Sequence, residues 1–193
     1  ANSFLLQAAE KSFNNNLFTD DILKKLLTAN DKQVAGLLQS LNENNITFSR
    51  KIGYDFATLT SSYASPGSAY YHNSLIIPKL DILTAALISH QSADGTVNIA
   101  NLESPPDTAF LVELLSAAAF ILIKDNSTAL STINKEIKKF LLKTGDALTT
   151  GGVHTPNHRW VICAALARLN SIYPDKKYIA RIEDWLGEGI YMD

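Results

Sequence analysis

The sequence predicts an all-α fold built from antiparallel helical hairpins. Three observations carry this reading. Apolar residues recur at helical spacing, and strand-like alternation is almost absent. Leucine and alanine are abundant while valine is scarce. Two helix starts, "SPPDTAF" (104–110) and "TPNHRWV" (155–161), share one form, and their prolines, Pro105 and Pro156, lie 51 residues apart. In each, a hydroxyl residue occupies the N-cap and proline the first helical position, where its missing N–H costs nothing.

The helices follow in order. The first covers about 3–14. The second follows Thr19, with Asp20 and Asp21 in its first turn, where carboxylates complement the helix dipole. The third follows Asn30 and runs to about Asn42. The next covers roughly 50–64 and ends before "SPG". Residues 68–90 are helical for much of their length, and Pro78 either kinks that helix or opens its main part. The remaining helices cover about 105–123, 128–147, 156–170 and 175–187.

One more step back from Pro105 falls on Tyr54, inside "RKIGYDFATL", near the start of another apolar helix. Each step holds two helices. One is strongly apolar, as in "AFLVELLSAAAFILI", and its partner is more charged, as in "STINKEIKKFLLKTGDAL". That pattern predicts a ring or solenoid with apolar helices inside and charged ones outside. Tyr54 and Asp55, Glu103 and Asp107, and His154, Asn157, His158 and Arg159 would then converge on one face. The alternative is an irregular bundle in which the spacing is coincidence.

Composition sets limits. In 193 residues, 46% are hydrophobic and 19% charged, enough apolar material for a core. A net charge of −2, with basic residues spread thinly, excludes a nucleic-acid stripe. The single cysteine, Cys163 in "WVICAALA", reads as a small buried hydrophobe and excludes a cysteine zinc site. No apolar run reaches the ~18–20 residues of a membrane span. The nearest, 109–123, is interrupted by Glu113 and Ser116. Nucleotide-binding loops, zinc-protease motifs and nucleophile elbows are absent. His154 and His158 have proline between them and no third ligand nearby in sequence, so neither a metal nor a cofactor is expected.

The densest polar chemistry lies in "GGVHTPNHRW" (151–160). Thr155 caps and Pro156 opens a helix whose free N–H groups and dipole favour an anion, such as a carboxylate. The dipole also favours the neutral imidazole at His158, the form a general base requires. Arg159 is placed to pair with a carboxylate. Trp160 stacks on a sugar ring or belongs to the core. A histidine in such a turn also serves simply to hydrogen-bond a loop. In "SAYYHNS" (68–74), Tyr70, Tyr71 and His72 are most simply aromatic packing, with a tyrosine acid or base as the alternative.

"SPPDTAFLVELL", "GGVHTPNHRWVICAALARL" and "YIARIEDWLGEGI" together resemble a family of bacterial carbohydrate-active proteins with an α/α-toroid domain. They are broadly similar to polysaccharide lyases of the heparinase II/III and alginate-lyase type. The resemblance covers roughly residues 100–190. It implies a partial α/α toroid, a single helical domain over 1–193 that forms the N-terminal part of a larger ring. It also implies a periplasmic or extracellular home, an acidic polysaccharide or oligosaccharide as partner, and further domains of the same polypeptide. By resemblance, Asn157 and Arg159 neutralise a uronate carboxylate, His158 removes the proton at C5, and Tyr54 or Tyr71 serves the leaving group. His154, Trp160, Asp107 and Glu103 would line the substrate site.

The leading functional expectation is therefore β-elimination of a uronic-acid-containing glycan. A glycoside hydrolase on the same scaffold is the first rival, with Glu103, Asp107 and Asp55 as its carboxylates. A non-catalytic helical-repeat module that binds glycan or protein is the second.

Overall fold

The computed structural model describes residues 20–99, 103–151 and 155–188. The helix expected over 3–14 lies outside the described residues. Among the described residues there are seven α-helices: α1 (Asp20–Ser40), α2 (Lys51–Ala64), α3 (Ile76–Ser89), α4 (Pro105–Asp125), α5 (Ser131–Thr150), α6 (Pro156–Ile172) and α7 (Lys176–Gly187). Short 3-10 turns cover Glu43–Asn45 and Thr128–Leu130. No strand occurs among the described residues, only an isolated bridge between Gln91 and Val97. The fold is all-α, as expected.

Two expected boundaries are corrected. The helices placed after Thr19 and after Asn30 are a single helix, α1. Asn and Asp disfavour helix interiors when their side chains turn back onto nearby backbone. Here both are engaged at long range. Asn30 Nδ2 donates to the Thr58 carbonyl at 2.9 Å and to Ser62 Oγ at 2.7 Å. Asp31 accepts from Ser62 Oγ (2.7 Å), Ser68 Oγ (2.6 Å) and the Ala69 amide (2.8 Å). Residues 68–75, expected to be helical, form successive turns, and His72 adopts a left-handed φ of 48°. Pro78 is the third residue of α3 and therefore sits in its first turn rather than kinking it.

Burial raises the Asp31 carboxyl, but the hydrogen bonds from Ser68, Ala69 and Ser62 outweigh it and hold the group below its ordinary 3.8. An acid depressed on folding stabilises the protein above its unfolded value and loses that contribution as pH falls through the folded one. The stability gap between wild type and Asp31→Asn should accordingly shrink as pH is lowered from about 6 to about 3. A gap that is constant over this range in urea titrations would remove the carboxylate's role as a staple.

The helices form two layers. Helices α2, α4 and α6 lie side by side, with α4 in the middle. Helices α3, α5 and α7 make a second row, each packed against the preceding inner helix, and α1 packs on α2. The inner helices run parallel. Gly53, near the start of α2, meets Leu111 and Leu114 in the first half of α4. At the far ends, the Tyr63 hydroxyl lies 3.0 Å from Ser127 Oγ. The expected division into apolar inner and charged outer helices holds for α4 with α5 and for α6 with α7, but not for α3, an outer helix that is more apolar than any inner one. Closure into a ring is not seen among the described residues. Phe56, Leu83, Leu111, Leu115, Ile137, Leu141 and Tyr178 form part of one continuous core.

Helix α4 corrects another expectation. By length and composition alone it is long and apolar enough to cross a membrane, despite Glu113 and Ser116. In the structure more than half of that stretch is buried against neighbouring helices. Cys163 is buried and free, and burial pushes its thiol up, which disfavours the reactive thiolate.

Tyr178 is wholly buried against Gly145, and among the described residues its hydroxyl has no hydrogen-bond partner. A buried unsatisfied hydroxyl costs about 1–3 kcal/mol. Tyr178→Phe is expected to leave stability unchanged or raise it by about 1 kcal/mol. A clear fall in the urea midpoint would show that the hydroxyl is satisfied after all.

Candidate functional site

The starts of the inner helices meet along one edge. At α4, the Ser104 hydroxyl accepts from the Asp107 amide at 3.4 Å, and prolines follow the cap. Asp107, whose side chain is only 6% exposed, pairs with Arg50 at the start of α2. The Arg50 guanidinium also lies 4.3 Å from the Phe110 ring centre, a cation–π contact. Tyr54, four residues after Arg50, shares its side of the chain and is 59% exposed. Asp55 pairs with Lys51, its Oδ2 at 2.6 Å. That pair borders a cavity of ≈330 Å³ walled by α1, residues 45–49 and the start of α2. Glu103 is exposed, with a left-handed φ of 47° and its amide bonded to Asn98 Oδ1 at 2.7 Å.

The start of α6 departs from expectation. Thr155 is exposed and its hydroxyl makes no capping hydrogen bond, so the first turn lacks a side-chain cap. Asn157 and Trp160 are exposed, Trp160 to 53%, while His158 and Arg159 are half-buried. Arg159 points to α7. It lies 3.1 Å from Glu188 and 5.2 Å from the Trp185 ring centre. Arg181 stacks on the same ring at 4.1 Å and donates to the Gly151 carbonyl at 2.9 Å. Residues two apart on a helix do not face each other. The structure therefore does not bring Asn157 and Arg159 onto one carboxylate. His154 lies outside the described residues.

Tyr71 is at the other end of the inner layer. It stacks on His72 with ring centres 4.1 Å apart, and His72 Nε2 lies 2.7 Å from Asp125 Oδ2 at the last turn of α4. His72 packs on Tyr63, nine residues or about 14 Å beyond Tyr54 along α2. Tyr71 cannot share a site with Tyr54, Asn157 and His158. Its role here is the packing that its aromatic neighbours suggested.

The sequence reading missed the open side of the inner layer. Phe110, Glu113, Leu114, Ala117, Phe120 and Ile121 recur at helical spacing along one side of α4 and are exposed or half-buried. Trp160, Ala164, Ala167, Arg168 and Ser171 do the same on α6. The two stripes face the same way, because Arg168 reaches to 3.8 Å from Glu113 across them. Exposed aromatics grouped on one face mark a binding surface more often than scattered single ones do. The available signal was phase: residues at these spacings are the ones left over once the core positions of each helix have been assigned.

No known family model matches the chain, and no curated protein or solved structure is detectably similar to it.

Proposed function

We propose that this chain is the glycan-holding part of a carbohydrate-active protein that cleaves a uronic-acid-containing polymer by β-elimination. One observation carries the reading. Tyr54, Phe110 and Trp160, all exposed, stand near the starts of three successive parallel helices. Aromatic faces at such spacing offer stacking platforms to consecutive sugar rings, and Arg50 and Asn157 beside them supply polar contacts for a carboxylate. In the reaction, His158 takes the C5 proton, the electron pair forms the C4–C5 double bond, and the C4–O bond breaks. Water returns a proton to the departing oxygen, because α4 stands between Tyr54 on α2 and His158 on α6. Neutralising the carboxylate stabilises the charge that builds up at C5.

The hydrolase reading is less well supported, because Asp107 is paired with Arg50 and Asp55 with Lys51. A catalytic acid on this scaffold needs a carboxyl that can hold its proton. A non-catalytic binding module is favoured by a different observation: Arg159 is engaged by Glu188 and Trp185 of the neighbouring outer helix and its cap.

The test is incubation of the full chain with polyuronates while following the ultraviolet absorbance of the unsaturated product. His158→Ala should abolish that signal, and Trp160→Ala should weaken substrate binding. New reducing ends without absorbance would replace the lyase by a hydrolase. Binding without turnover would leave the module reading, and no glycan binding at all would sink the proposal.

A further inference from the structure

A cleft of ≈400 Å³ lies between the second halves of α4 and α6. None of the residues discussed above for catalysis lines it. Its wall carries Phe120, 49% exposed, with Ile121 and Ile172 beside it. Arg168 stands at its rim, half-exposed, and its ion contact is the 3.8 Å approach to Glu113, too long for a hydrogen bond. The ammonium of Lys124 lies 5.4 Å from the Phe120 ring centre and adds a second positive charge on this side. Ser116 also lines the cleft. It is fully buried, and its hydroxyl has no hydrogen-bond partner among the described residues.

These groups have a common fit. An apolar ring face against Phe120 and an anionic oxygen on Arg168 describe a pyranose ring that bears a carboxylate. We propose that this cleft is a subsite for one acidic sugar residue, read through its carboxylate by Arg168. The inference rests on the glycan reading above and extends it along the inner helices. From Phe110 to Phe120 is ten residues, about 15 Å of helix, so the subsite would serve a residue of the polymer beyond those at the N-terminal edge. Glu113 competes with the ligand for Arg168 and sets how readily the site fills.

The test is calorimetric titration of the full chain with an oligogalacturonide and with its methyl ester, which keeps the rings and removes the charge. The acid should bind at least about tenfold more tightly than the ester, as expected for a charge-assisted contact. Arg168→Ala should lower affinity for the acid about tenfold and reduce that discrimination by the same factor, Arg168→Lys should restore part of it, and Glu113→Gln should strengthen binding. Unchanged binding in Arg168→Ala, together with loss in Trp160→Ala, would overturn the subsite and leave the glycan reading standing. Failure of the wild type to bind either probe would overturn both.

Discussion

Gly95→Ala is expected to destabilise the protein by about 3 kcal/mol, the sum of a left-handed backbone penalty and an overpacking cost. Gly95 has φ 102°, a conformation that a side chain rarely adopts. An added Cβ would lie 2.3 Å from the Lys143 carbonyl oxygen, which belongs to the backbone of α5 and cannot swing aside. The turn is held from several directions. Gly95 N donates to the Ser92 carbonyl at 3.1 Å, and Gln91 Nε2 donates to the carbonyls of Gly95 (3.2 Å) and Phe140 (3.0 Å) and to Thr144 Oγ1 (2.9 Å). Val97, next along, donates its amide to Thr108 Oγ1 at 3.0 Å and so ties the turn to the start of α4. Displacing Gly95 therefore disturbs one of the helix starts that form the candidate site. The same substitution at Gly36, inside α1 with open space around it, should stabilise by about 0.5–1 kcal/mol through the lost entropy of glycine. Urea denaturation of the pair gives the check. A Gly95→Ala midpoint close to wild type would mean that the turn is not held against α5 as described.

Phe56→Ala is expected to cost about 3–5 kcal/mol, the usual range for emptying a fully buried aromatic site. Phe56 is wholly buried on α2 and belongs to the core that joins the two layers. It stands two residues from Tyr54, on the opposite side of the helix. The two positions should therefore separate cleanly. Phe56→Ala should lower the melting temperature while leaving glycan affinity intact in the fraction that remains folded. Tyr54→Ala should do the reverse. If Tyr54→Ala costs as much stability as Phe56→Ala, the assignment of the open side of α2 is wrong.

Much of the helical framework was legible because its signals are local. Proline after a hydroxyl residue marks the starts of α4 and α6, and the apolar spacing marks α2, α5 and α7. The misreadings share one cause. Asn30 and Asp31 carry the local signature of a helix boundary, yet Ser62, Ser68 and Ala69 supply the partners that keep them helical. Thr155 carries the signature of a cap and does not cap.

The candidate site divides along the same line. Grouping Tyr54 with Asp107 followed from the repeat, and Arg50 joins them in the structure. Arg159 looked like an edge residue, but helix phase turns it toward Glu188 and Trp185. Tyr71 looked equivalent to Tyr54, but the length of α2 places it at the far end. Phe120 and Arg168 drew no notice, because an exposed phenylalanine cannot be told from a buried one in sequence. By itself, the sequence determined the helical class and most helix positions, both of which follow from spacing along the chain. Only the tertiary structure decided which side of each inner helix stays open and which charges pair, because both depend on contacts between residues far apart in sequence.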